Sequence, residues 1–153
     1  MENLIKKYDL APHPEGGFFK EVYRSDQYVQ SGIVPEVRNA VTHIYFLLVK
    51  GQFSRFHRVV HDEIWNFYEG DPLQLVQFDA TGIKTDTLGP GCGGYVTIIP
   101  GNTWQAAAPL GRYSLVGCTV APGFDFSDFS FLNETSGELA RFMAQKTGYE
   151  HFL

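Results

Sequence analysis

Cysteine is scarce in this chain. Cys92, in a Gly-rich turn, and Cys118, in an apolar strand, are the only two in 153 residues; they cannot build a disulfide framework and have no metal-pair spacing, so both read as free thiols. Long apolar runs are missing too. Nowhere do about 18 apolar residues follow one another, and MENLIKKYDL mixes charges of both signs without the apolar stretch of a signal peptide, so a soluble, cytoplasmic protein is expected. Positive charge is also short. Twelve Lys and Arg against 17 Asp and Glu give a net charge of -5 and a sequence pI near 5.4, with no basic cluster. Nucleic-acid and anionic-membrane binding lose their electrostatic footprint. The partners that remain are small molecules and a second copy of the chain.

What is present is a β-rich composition. Hydrophobic residues make up 44% of the chain, with thirteen Phe, eight Tyr and 16 Gly, which suits one globular domain spanning 1–153 with many tight turns. A short helix over NLIKKYDL runs into the turn APHPEGG. Short β-branched and aromatic runs then follow to about residue 131, among them FFKEVYR, AVTHIYFLLV, LQLVQFD, GYVTIIP and YSLVGCTVA, broken by turn signals such as GDP, ATG and PGCGG. So many closely spaced strands predict a sandwich or barrel. In ETSGELARFMAQKTG, Leu139, Phe142, Met143 and Lys146 recur at helical spacing, predicting a helix over 135–147 that covers an open end or edge of the β structure.

The stretch RFHRVVHDEIWNFYEG carries the chemistry. Strand alternation places Phe53, Arg55, His57 and Val59 on one face, and after VHD it places Glu63, Trp65 and Phe67 on the matching face of the next strand, as in a hairpin. Glu63 beside Trp65 in an apolar interior should have a raised pKa unless Arg55 or His57 pairs with it. Arg55 can clamp an anionic ligand group or only neutralise Glu63; Gln105, after Trp104, can read a ligand polar group. Tyr45, Trp65, Phe67, Trp104 and Phe124 are the aromatics expected to line a pocket. Asp125 and Asp128 read as outward, solvated carboxylates, PEGG as a tight turn, and His13, His43 and His151 as background.

The spacing of Gly51, His57, Glu63 and Gly70 resembles the first cupin motif, G-x5-H-x-H-x(3-4)-E-x6-G, and Gly94, Pro100 and the following GNTWQAAAP resemble the second. PHPEGGFFKEVYRS, HIYFLLVKGQFSRFHRV, DEIWNFYEGDPLQL, IIPGNTWQAA and YSLVGCTVAPGFDFSDF together resemble a family of small single-domain cupins similar in structure to dTDP-4-dehydrorhamnose 3,5-epimerase. The resemblance covers about residues 10 to 132. It implies an all-β double-stranded β-helix, or jelly roll, usually homodimeric, with a ligand-sized cavity.

Departures from the motifs limit the chemistry. Where metal-dependent cupins hold an ion with three histidines and a glutamate, this chain has Val59 and Gln105 at two of the histidine positions, so no cofactor is expected; a metal, were one held, would fall to His57 and Glu63 with His61. In sugar epimerases of this shape an arginine stands three residues before the histidine, and here that residue is Ser54. Two function classes remain. One is an isomerase acting on a sugar or nucleotide sugar, with His57 as base, Glu63 as its partner or the acid, and Arg55 and Gln105 binding. The other is a metal-free module that holds a small ligand without turning it over.

Overall fold

The computed structural model describes residues 2–153. Helix α1 (Glu2–Lys7) precedes β1 (Ala11–Pro12), β2 (Phe18–Arg24), β3 (Tyr28–Gln30), β4 (Val37–Asn39) and β5 (Thr42–Val49). The chain continues through β6 (Ser54–Val59), β7 (Asp62–Gly70), β8 (Leu73–Asp79), β9 (Gly82–Leu88), β10 (Val96–Ile99), β11 (Trp104–Pro109), β12 (Tyr113–Ala121) and β13 (Phe129–Phe131), and α2 (Ser136–Ala144) follows. These strands form a six-stranded sheet in the order β1-β2-β5-β12-β7-β10, a five-stranded sheet in the order β13-β6-β11-β8-β9, and the separate hairpin β3–β4. The two large sheets face each other as a jelly roll. Phe46, Leu48, Trp65, Leu73, Leu75 and Val116 fill the space between them.

The apolar run of β5 is explained by burial on both faces. Phe46 and Leu48 point into the barrel, whereas Leu47 and Val49 pack outward beneath Leu10 and the α1 residues Leu4 and Ile5. No helix among the described residues is long and apolar enough to cross a membrane.

Three expectations need correction. The stretch from β6 to β7 is not a hairpin: β6 pairs with β11 and β13, while β7 pairs with β12 and β10, so Val60 and His61 carry the chain from one sheet to the other. The residues expected to be side by side therefore face each other across the barrel. Helix α2 covers a sheet face, not an open end or edge. Phe142 is fully buried there, with ring centroids 4.8 Å from Phe56 and 5.2 Å from Phe78.

The third correction decides the site. Opposite β11, Gln105 pairs with His57 and Ala107 with Ser54, so three steps of β6 match two of β11. This is a bulge, and it puts Ser54 on the same side as His57. Arg55 is turned outward: its guanidinium lies 4.2 Å from the centre of the Phe131 ring, and Nη2 donates to the Pro14 carbonyl at 2.7 Å. Phe53 joins Phe56 and Phe152 in the outer cluster.

Candidate functional site

A cavity of about 290 Å³ opens between the sheets. Its buried part holds Glu15, His57, Glu63 and Cys118; Phe124, Phe126 and Phe129 form an aromatic wall, and Glu21, Arg24 and Asp125 stand at the exposed end. His57 and Glu63, expected together from their spacing, do line one cavity.

Hydrogen bonds fix the protonation pattern of His57. Its Nδ1 lies 2.7 Å from the Arg55 carbonyl, which can only accept, so Nδ1 carries the hydrogen. Nε2 lies 3.2 Å from Glu15 Oε2, and the Ser54 hydroxyl donates to Glu15 Oε1 at 2.8 Å. Nε2 and Oε2 therefore need one proton between them: a neutral imidazole accepting from a carboxylic acid, or an imidazolium donating to a carboxylate. Burial lowers the His57 pKa and raises that of Glu15, which favours the neutral form of each.

Glu63 sits across the barrel in a similar setting. The Trp65 indole N–H donates to Gln105 Oε1 at 2.9 Å, which orients the amide so that Gln105 Nε2 donates to Glu63 Oε2. Burial pushes the Glu63 carboxyl up to about 7, and the Glu15 charge adds to the rise while His57 opposes it. Burial also raises the Cys118 thiol beside it.

Glu15 was not singled out from sequence, where PEGG signalled only a turn. Its backbone geometry is what presents the carboxylate. Gly16 and Gly17 adopt φ of +116° and +69°, and a Cβ on Gly16 would run into the Phe53 carbonyl at the start of β6. The Arg55 N–H donates to the Glu15 carbonyl at 2.8 Å, so Arg55 ties the turn to β6 through both backbone and side chain. Gly16→Ala should destabilise the fold by at least about 1 kcal/mol and break the Glu15–His57 contact, read by denaturation together with the NMR titration of His57. An unshifted His57 signal would show that the turn does not hold Glu15 in place.

The remaining expected residues scatter. Gln105 is buried and bridges Trp65 to Glu63, which makes it a positioning group; Trp65 and Phe67 are core. Tyr45 faces outward in a separate shallow cleft with Tyr8, His43 and Tyr68. Trp104 lies in the outer cluster, 4.5 Å below the Arg58 guanidinium. His61 is not part of the cavity lining; its Nε2 lies 2.8 Å from Ser31 Oγ and its Nδ1 3.6 Å from Asp128 Oδ2. Asp128, expected to be solvated, is buried and takes a bidentate fork from Arg38, both contacts 2.8 Å. His13, set aside as background, lines the cavity edge-on to Phe19.

A metal held in the cupin manner does not fit these residues. Val59 offers no donor, Gln105 spends its oxygen on Trp65 and turns its amide hydrogens to Glu63, and His57 Nε2 is engaged by Glu15. Among the described residues no group of three or more His, Cys, Asp or Glu is placed to hold an ion.

Two facing antiparallel sheets enclosing a side-chain-lined cavity define a jelly-roll barrel. The chain belongs to the family described as Cupin superfamily (DUF985), which matches residues 2–132. An uncharacterised protein of Saccharomyces cerevisiae, YML079W, is 29% identical over 150 residues, covering 86% of this chain and 75% of the yeast protein. Protein SO0799 from Shewanella oneidensis superposes with a TM-score of 0.85 at 32% identity, over 99% of this chain and 95% of that one. A hypothetical protein from Leishmania major gives 0.82 at 33% identity, over 92% of each chain. A Bacillus subtilis oxalate decarboxylase shares the fold alone, with a TM-score of 0.60 at 15% identity over 90% of this chain and 34% of that one.

Proposed function

We propose that this protein is an isomerase-class enzyme that moves a proton on a small hydroxy-carbonyl metabolite of the sugar type. Proton transfer next to a carbonyl needs a base for the C–H bond and an acid for the oxygen that takes up the charge. The observation that carries the proposal is Glu63, a carboxyl pushed up to about 7, on the same cavity as the one-proton Glu15–His57 pair. Near neutral pH a carboxyl of that kind is populated in both forms, so it can take a proton and return it.

In this reading the base is Glu63 and not His57, the residue that the resemblance to epimerases suggests. Both His57 nitrogens already have protein partners, whereas Glu63 lines the cavity with Oε2 held by Gln105 and the Cys118 thiol beside its carboxyl. In the proposed reaction Glu63 takes the proton from the carbon, and the C–H electron pair becomes the new C=C bond of an enediol. The carbonyl oxygen takes its proton from the Glu15–His57 pair. The isomer forms when the Glu15–His57 pair, now one proton short, takes the hydroxyl proton from the neighbouring enediol carbon while Glu63 returns its proton to the former carbonyl carbon, so that the C=C pair becomes the new C–H bond and the C=O bond moves one carbon along.

The fully satisfied state of His57 favours a second reading, a binding module without turnover. Incubating the protein with a panel of aldoses and ketoses in heavy water, followed by NMR, separates the two. Deuterium at the carbon beside the carbonyl supports the enzyme; bound sugars that never exchange leave the binder.

A further inference from the structure

The cavity is rich in acceptors and, among the described residues, has no free cation. Its charged lining is Glu15, Glu21, Glu63 and Asp125 against Arg24 alone. Burial disfavours the charged ring at His13 and at His57, so neither histidine replaces the missing positive charge. Arg38 and Arg55 are outside the lining and committed to Asp128 and to the Pro14 carbonyl.

Arg24 itself is already occupied. Nε and Nη2 donate to the two oxygens of Glu21 at 3.0 and 2.8 Å, while Nη1 donates to Asn39 Oδ1 at 2.9 Å and to the Phe124 carbonyl at 3.2 Å. A guanidinium arriving at the mouth with four of its hydrogens committed has little left for a phosphate. An anion entering here would instead meet the exposed carboxylates of Glu21 and Asp125 at the mouth and, deeper in, carboxyl groups that offer it no positive charge in return for its desolvation.

The lining also has a shape. Phe124 and Phe126 meet edge to face at 5.0 Å, and Phe129 lies 6.2 to 6.3 Å from both, giving an apolar wall for the C–H face of a ring. The carboxyl oxygens of Glu15 and Glu63 on the same cavity ask for hydroxyl donors. A volume of about 290 Å³ is near the lower end of small-molecule sites.

The geometry points to a ligand that is neutral, rich in hydroxyls and one ring in size, with Glu21 as the residue that turns away its phosphorylated and nucleotide-linked counterparts. This rests on the barrel as the ligand site proposed above and needs no turnover. Glu21 acts by holding Arg24, among the described residues the one cation of the lining able to recruit a phosphate.

The test is calorimetric titration of wild-type protein and Glu21→Gln with neutral hexoses and deoxyhexoses, with their phosphates, and with nucleoside-diphosphate sugars. Wild-type protein should bind a neutral sugar at least about tenfold more tightly than its phosphate. Glu21→Gln removes the carboxylate charge and one of the two acceptors that hold Arg24, and should narrow that gap by about ten- to hundredfold. Equal or tighter binding of the phosphorylated or nucleotide-linked sugar to wild type overturns the inference, as does a panel in which no neutral sugar binds. An unchanged ratio in Glu21→Gln removes Glu21 from it. The same ligands in heavy water keep the two proposals apart: a neutral sugar that binds without exchange sinks only the isomerase reading, and a nucleotide sugar that binds and exchanges sinks only the ligand class.

Discussion

Glu63→Gln should reduce deuterium exchange into substrate by about 100- to 10,000-fold, the usual contribution of a general base, while the protein stays folded. The variant keeps the shape of the side chain and can still accept the Gln105 hydrogen bond through its amide oxygen. It also removes a titration. Glu63 is raised in the folded protein from 4.5 to about 7, so its stabilising contribution is full below pH 4.5 and is lost as the pH rises through 7. At about 1.4 kcal/mol per unit, the loss is about 3 kcal/mol, and Glu63→Gln should not show it. Glu15 slopes in the same direction and buried His57 in the opposite one, and both stay in the two proteins, so the wild type minus variant difference reads Glu63 together with its coupling to them. Wild-type kcat/KM should rise with pH and level off above about 7. Denaturant unfolding at pH 5 and pH 8, alongside the exchange assay, reads both effects. Exchange in Glu63→Gln within about tenfold of wild type would place the base elsewhere.

The barrel and half of the site were legible in the chain. Runs such as THIYFLLV and YSLVGCTVA have the β-branched and aromatic content of strands, and the spacing of Gly51, His57, Glu63 and Gly70 brings His57 and Glu63 to one cavity. Alternation within a single strand also held for Glu63, Trp65 and Phe67, all buried. It failed at Ser54 and Arg55, because a bulge inserts one residue without a signature of its own and exchanges which side chain faces in. The consequence reaches beyond one position. The resemblance to epimerases places an arginine three residues before the histidine; the bulge turns that position inward, and the residue there is Ser54, which holds Glu15 instead of a ligand. Glu15 itself was hidden because it joins His57 only through tertiary packing of a turn 42 residues away in sequence. A carboxylate in such a turn looks like any solvated loop acid until its burial is known.

Phe142→Ala should produce the opposite phenotype. Phe142 is fully buried between Phe56 and Phe78, and truncating a core phenylalanine removes its transfer energy and leaves a cavity, at a cost of about 3 to 5 kcal/mol. That is a large part of the stability of a domain this size. Yet its ring packs on the outer face of the five-stranded sheet, against Phe56, whose chain neighbour His57 projects inward. Exchange per folded molecule should therefore remain within a few-fold of wild type, with the unfolding midpoint shifted and the pH dependence through about 7 retained. Measured together, the two variants separate what holds the barrel from what works inside it: Glu63→Gln loses chemistry and keeps the fold, and Phe142→Ala loses stability and keeps the chemistry. If Phe142→Ala lost exchange in proportion to Glu63→Gln while still folded, the outer cluster would be shown to set the position of His57 through Phe56. The bulged segment of β6 would then be the element that carries that coupling.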